Sequence, residues 1–89
     1  MANVKIPTPL RTLTENLTSV EIEGSNVIDV IQNLNKKFPG VTEKIMDQNE
    51  LKHFVNIYLN GEDIRYLDLL NTKVNENDEI SIVPAVAGG

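Results

Sequence analysis

The sequence contains no cysteine. This absence excludes disulfide bonds, zinc sites built from thiolates and a cysteine nucleophile. Histidine occurs only once, as His53, so no catalytic set of nucleophile, base and acid is recognisable. The acidic clusters at residues 47–50 and 62–63 lack the spacing of a metal-binding loop. We therefore expect a protein that is not an enzyme and binds no metal or cofactor itself, with His53 on the surface or at a strand edge.

Basic residues and long apolar runs are also scarce. Lys and Arg number 8 against 13 Asp and Glu, which gives a formal net charge of -5 at pH 7. This balance disfavours binding to nucleic acids. No apolar stretch approaches the roughly 20 residues that span a bilayer, and the first ten residues lack an export signal. We expect a cytoplasmic protein with neither nucleic acid nor membrane among its partners.

The chain is long enough for one small core, with 89 residues of which 40% are hydrophobic. We therefore expect a single domain over residues 1–89. Near its start, residues 3–6 and 17–22 are rich in β-branched side chains and partly alternate. This pattern predicts two strands that pair as a hairpin with a long connection.

The next segment, residues 25–38, has the pattern of an amphipathic helix. Ser25 is a candidate N-cap, and Pro39 disfavours helical angles at the residue before it. A shorter helical turn is predicted at 42–46, followed by a solvated loop at 47–50. The apolar residues at helical spacing are Val27, Val30, Ile31, Leu34 and Phe38.

A second hairpin is predicted in the following segment. Residues 54–59 read as a strand, Asn60-Gly61 suits a tight turn with positive backbone angles, and residues 64–66 read as the returning strand. Residues 67–70 form a covering loop or single turn in this interpretation. The aromatic residues here are expected to pack in the core or on a sheet face: Phe54, Tyr58 and Tyr66.

The last strand is predicted at residues 79–83, after a polar turn at 75–78. The order of strand, strand, helix, hairpin and strand suits an α+β fold of the ubiquitin-like β-grasp type, with a mixed sheet packed against one main helix. A central last strand would anchor the chain up to about Val83. We expect a flexible tail from about residue 84.

The sequence ends in Gly88-Gly89, which at an average glycine usage of roughly 7% arises by chance in about one chain in 200. Glycine has no Cβ, so such an end can lie extended in a channel too narrow for other side chains. A partner enzyme could then reach the terminal carboxylate and activate it with ATP. Residues 84–87 are expected to form the stem that a partner grips, and Pro84 also ends the strand.

Four blocks of the sequence resemble the ubiquitin-like sulfur carriers of the MoaD/ThiS family, and the resemblance runs nearly end to end. The blocks are Lys5-Ile6-Pro7-Thr8 with Leu10-Arg11, HFVNIYLNGEDIRYL at residues 53–67, Asn77-Asp78-Glu79, and VPAVAGG at residues 83–89. Asn77 stands where the family usually has Gly, and Asn also tolerates left-handed angles. Among these carriers the chain is most similar to the CysO type, which serves cysteine biosynthesis.

The resemblance implies that a ubiquitin-activating-like enzyme adenylates Gly89 with ATP and that sulfur is installed there as a thiocarboxylate. The acceptor would be a cysteine-synthase-like enzyme or the large subunit of molybdopterin synthase. Two alternatives stay open: the small subunit of molybdopterin synthase, from whose usual Pro-Pro tail this chain departs, and a ubiquitin-like modifier conjugated to lysines. The tail residues that would enter the partner's active site are Pro84, Ala85, Val86, Ala87 and Gly88.

Overall fold

The computed structural model describes residues 1–84. Short 3-10 turns lie at Thr8–Leu10, Ile64–Tyr66 and Leu69–Asn71. The strands and α-helices, in chain order, are β1 (Ala2–Lys5), β2 (Ser19–Ile22), α1 (Val27–Lys37), α2 (Val41–Ile45), β3 (Met46–Asp47), β4 (Glu50–Leu51), β5 (Val55–Leu59), β6 (Glu62–Asp63) and β7 (Glu79–Pro84).

The main sheet has five strands in the order β2-β1-β7-β5-β6. β1 pairs in parallel with β7, whereas β1 with β2, β5 with β7 and β5 with β6 are antiparallel. The predicted opening hairpin and the central position of the last strand are therefore confirmed. The second strand begins at Ser19 instead of Leu17, because the Leu17 amide donates to the Thr14 carbonyl in a preceding turn.

The core lies between one face of this sheet and α1. Along β1, β5 and β7, alternate residues are buried and the residues between them face away from the helix. The predicted helical stripe is confirmed, since Val27 and Leu34 are fully buried and Phe38 is 7% exposed. Each such side chain stabilises the fold by about 1.5–3 kcal/mol relative to an exposed one. None of the helices within residues 1–84 is long and apolar enough to cross a membrane.

The predicted N-cap at Ser25 is wrong by one residue. Asn26 has extended backbone angles, and its Oδ1 accepts the Asp29 amide at 2.9 Å. The Asp29 carboxylate in turn accepts the amide of Ser25 at 3.1 Å. Asn26 takes the cap position because its side chain reaches the third helical amide, the position that a cap satisfies. The other end follows the prediction, as α1 stops at Lys37 before Pro39.

Two further predictions need correction. The loop expected at 47–50 contains a tight turn between β3 and β4, with φ angles of 51° at Gln48 and 68° at Asn49. The strand expected at 64–66 is a 3-10 turn, so β6 spans only Glu62–Asp63. The turn forms because the Asp63 carboxylate accepts the Arg65 amide at 2.9 Å.

Other local predictions are confirmed. The helical turn expected at 42–46 is present as α2, shifted by one residue. Asn60 and Gly61 have φ angles of 52° and 87°, as a tight turn between β5 and β6 requires. Asn77 has a φ of 69° before β7, in agreement with its tolerance of left-handed angles.

Candidate functional site at the root of the C-terminal segment

Most of the predicted functional residues lie outside the described residues. These are Ala85, Val86, Ala87, Gly88 and Gly89. Of the predicted set, the structure locates Pro84, the last residue of β7. Pro84 and the residues around it therefore define the candidate site.

Pro84 lies where β7 has only one neighbouring strand. β1 pairs with β7 only from Glu79 to Ser81, whereas β5 continues alongside it until Val55 faces Pro84. Proline has no amide hydrogen to donate, so it is tolerated at such a strand end. We call Val83 and Pro84, together with Phe54 and Val55 beside them, the root. Pro84 is also the last residue that the structure describes, so the expectation that it ends the last strand stays a prediction.

Two apolar side chains at the root are open to solvent. Val83 is 43% exposed on the sheet face away from α1, and its cross-strand partner is Asn56. Phe54 is 40% exposed, with the Lys52 Nζ 5.9 Å from its ring centroid. The His53 ring meets the Phe54 ring edge-on at 6.0 Å, and His53 is exposed as expected. The root thus offers a partner an apolar surface edged by a lysine.

The interpretation of the aromatic residues as packed is wrong for two of the three. Tyr66 is 82% exposed and Phe54 is 40% exposed, whereas Tyr58 is partly buried on the open sheet face. Phe54 precedes β5 instead of belonging to it, and Tyr66 is the last residue of the 3-10 turn that replaces the predicted strand. Neither residue has the alternation of a strand to direct it toward the core.

A surface groove of about 340 Å³ lies beside the root. Val55 lines it on the side of the root, and Leu69 and Leu70 line it from the loop that follows β6. The groove exists because the returning chain leaves β5 after Asp63, so that β6 pairs only with Tyr58 and Leu59 of β5. Sequence reasoning missed this groove, although an Asp two residues before an Arg signals such a turn.

An ion pair fixes one wall of the groove. The Arg65 guanidinium contacts the Asp63 carboxylate, with Nη2 at 2.8 Å from Oδ2. The side-chain hydrogen bonds from Arg65, and then the backbone bond from the same residue, hold the pKa of the Asp63 carboxyl below its ordinary value. The pair therefore keeps both charges at neutral pH and orders the turn at Ile64–Tyr66.

Within residues 1–84, no group of three His, Asp or Glu side chains is placed to hold a metal ion. Every buried side-chain nitrogen or oxygen described in that part of the chain has a hydrogen-bond partner. No unpartnered buried polar atom therefore marks a cofactor cradle there. The feature that the geometry singles out is a surface: the root and the groove beside it.

Comparison with known proteins places the chain in a family. The family model described as the ThiS family matches residues 4–89. The chain belongs to the ThiS family. It is 42% identical to the sulfur carrier protein CysO of Mycobacterium tuberculosis (strain ATCC 25618 / H37Rv) over 89 residues, which covers 97% of this chain and 96% of the relative.

Two solved structures of similar proteins carry the same fold. A chain in the crystal structure of the Amycolatopsis orientalis BexX/CysO complex is 37% identical, with a TM-score of 0.95 and 100% of each chain covered. The small archaeal modifier protein 1 of Methanosarcina acetivorans is 33% identical, with a TM-score of 0.86, and the match covers 99% of this chain and 95% of that one. The predicted ubiquitin-like β-grasp fold and the predicted family are confirmed.

Proposed function

We propose that this protein is a sulfur carrier in which Gly89 bears the sulfur. A partner enzyme joins the Gly89 carboxylate to the α-phosphate of ATP, forming an acyl-adenylate and releasing pyrophosphate. A sulfur nucleophile at the oxidation level of sulfide then attacks the acyl carbon and displaces AMP, leaving a thiocarboxylate. The protein supplies the carboxylate and a surface that its partners bind, and the partners supply the catalysis.

The observation that carries this proposal is the 42% identity with a sulfur carrier protein over 97% of the chain. The family match extends to residue 89, so it includes the two glycines. The same similarity supports cysteine biosynthesis as the use of the sulfur, with a cysteine-synthase-like enzyme as the acceptor. The acceptor would remove sulfur from the thiocarboxylate and return Gly89 as a carboxylate.

The geometry of the root fits this role. Pro84 is anchored opposite Val55, and five residues follow it in the sequence. At about 3.3–3.6 Å per extended residue, Gly89 can reach about 17 Å from Pro84. An active site that encloses the carboxylate can therefore act on it while the folded domain stays outside.

The test is the intact mass of the protein after incubation with ATP, its adenylating enzyme and a sulfur source, followed by a thiol-alkylating reagent. Exchange of oxygen for sulfur and oxidation of Met1 or Met46 add nearly the same mass, and alkylation separates them. Because the chain has no cysteine, a label reports the thiocarboxylate. The control is a chain that lacks Gly88 and Gly89. We expect ATP-dependent labelling of the full chain alone, and labelling of the shortened chain would refute the proposal.

A second candidate is a ubiquitin-like modifier joined through Gly89 to lysines of other proteins. The 33% identity with a small archaeal modifier protein favours it. Both functions begin with adenylation and differ in the nucleophile that follows, which is sulfur in one and a lysine amine in the other. Because no Lys or Arg follows Lys73, trypsin would leave residues 74–89 on a modified lysine. That remnant on lysines of other proteins, without alkylation of the carrier, would favour the modifier.

A further inference from the structure

The loop after β6 exposes large apolar side chains close together in the sequence. Tyr66 is 82% exposed, Leu67 is 39% exposed and Leu69 is 56% exposed. Single exposed apolar residues are normal on a protein surface, but several together mark a site of interaction. We call residues 66–69 the apolar loop.

Leu69 also has a backbone conformation that does not suit it. Its φ is 54°, in the left-handed region that favours glycine and asparagine and disfavours bulky side chains. The other non-glycine residues with positive φ in the described part of the chain are all polar, namely Glu15, Asn16, Gln48, Asn49, Asn60 and Asn77. Neither backbone preference nor solvation therefore favours leucine at position 69.

The conformation of Leu69 is held by Thr72 and not by its own side chain. The Thr72 hydroxyl donates to the Leu69 carbonyl at 2.7 Å and accepts the Asp68 amide at 2.9 Å. The Thr72 amide also donates to the Leu69 carbonyl, at 3.1 Å. Because Thr72 is only 6% exposed, these bonds are shielded from water. Together they hold the backbone of Leu69 in its left-handed conformation.

The apolar loop lies beside the root. Leu69 and Val55 line the same groove, and Val55 is the cross-strand partner of Pro84. An enzyme that encloses Gly89 must come within about 17 Å of Pro84, the extended length of five residues. The groove and its Leu69 wall adjoin the root and are therefore within reach of such an enzyme.

We propose that the apolar loop is a docking surface for the adenylating enzyme, with Leu69 as the side chain that contacts an apolar patch on that enzyme. The proposal rests on the proposed function, because it assumes that Gly89 is adenylated. The adenylating enzyme is the occupant of choice, since carrier and modifier alike need adenylation first. Leu69 acts in binding and takes no part in the chemistry.

The test is Leu69→Asn, measured by steady-state release of pyrophosphate at increasing carrier concentration, with the adenylating enzyme and the sulfur source used for loading. Asparagine suits the left-handed φ, so the melting temperature should stay the same or rise. Loss of the apolar contact should raise KM about tenfold with kcat unchanged. The matched control is Leu17→Asn, because Leu17 is 42% exposed and precedes β2, at the opposite edge of the sheet. Its KM should equal that of the unaltered protein.

A second variant guards against a folding defect. Tyr66 is 82% exposed, so Tyr66→Ser should leave the melting temperature unchanged and raise KM severalfold. Equal KM values for Leu69→Asn, Leu17→Asn and the unaltered protein would overturn the docking proposal alone. A fall in kcat without a change in KM would also overturn it. If the unaltered protein releases no pyrophosphate, the proposed function itself is wrong.

Discussion

Thr72→Val is the substitution that tests most directly how the apolar loop is held. Valine has nearly the shape of threonine, so the change removes the hydroxyl and little else. The hydroxyl makes two hydrogen bonds, at 2.7 Å to the Leu69 carbonyl and at 2.9 Å from the Asp68 amide. Each such bond contributes about 1 kcal/mol net. Asp68 is exposed, so water can replace one partner, and we expect a loss of about 1–2 kcal/mol in the free energy of unfolding.

For a domain of this size, that loss corresponds to a fall of roughly 4–16 °C in the melting temperature. The assay is urea and thermal unfolding followed by far-UV circular dichroism, because the chain has no tryptophan to report by fluorescence. The matched control is Thr14→Val. Thr14 is fully buried, and its hydroxyl makes one longer bond, at 3.2 Å to the Leu17 carbonyl. Loss of this hydrogen bond should lower the free energy of unfolding by about 0–1 kcal/mol.

The prediction is tested by comparing the stabilities of Thr72→Val and Thr14→Val. Thr72→Val should be the less stable protein and should also raise KM for the adenylating enzyme, since a loosened loop must be ordered on binding. A Thr72→Val protein as stable as Thr14→Val would refute the view that the hydroxyl holds Leu69. Normal stability with a raised KM would refute it as well, because the loop would then owe its order to something else.

Three further predictions concern the fold and the groove. Leu34→Ala should lower the free energy of unfolding by about 2–5 kcal/mol in urea titrations, because Leu34 is fully buried between α1 and the sheet. Asn26→Ala should lower the free energy of unfolding by about 1 kcal/mol, because it removes the side chain that caps the Asp29 amide. Urea titrations measure this change as well. Asp63→Asn should lower the free energy of unfolding at pH 7 and have no effect in strong acid. The pKa of the Asp63 carboxyl is lowered in the folded protein, so the ionised carboxylate stabilises the fold at pH values above its unfolded-state pKa. That stabilisation is lost as the pH falls through the folded-state pKa. Unfolding curves of both proteins from pH 7 downward check this, and a difference that persists in strong acid would contradict it.

The features that could be predicted from the sequence are those that local chemistry decides. The stripe of α1 repeats over three turns, and Asn60-Gly61 suits the positive angles observed there. The hairpin of β3 and β4 could not be predicted, because strands of two residues are too short to show alternation. Its turn also depends on a left-handed Gln48, which glutamine alone does not signal.

Sequence reasoning missed the groove for a different reason. Ile64, Arg65 and Tyr66 alternate as a strand would, but the Asp63 carboxylate accepts the Arg65 amide and turns the chain away from β5. One side-chain hydrogen bond thus outweighs the strand-like alternation of these three residues. As a result Tyr66 is exposed, although it was expected to be packed. The left-handed Leu69 is held by the hydrogen bonds from Thr72, and no rule of sequence places a leucine there.

Under the proposed function, the carboxylate gives an activating enzyme no basis for choosing this chain, because a diglycine end is chemically the same in every protein that has one. Discrimination must come from the surface that the enzyme covers while it holds Gly89, which lies within about 17 Å of Pro84. Phe54 and Val83 of the root are exposed on that surface as well. Leu69 differs, because leucine there is disfavoured by its φ of 54° and by its 56% exposure. A side chain that the fold does not need, fixed beside the root by Thr72, is suited to tell one carrier from another.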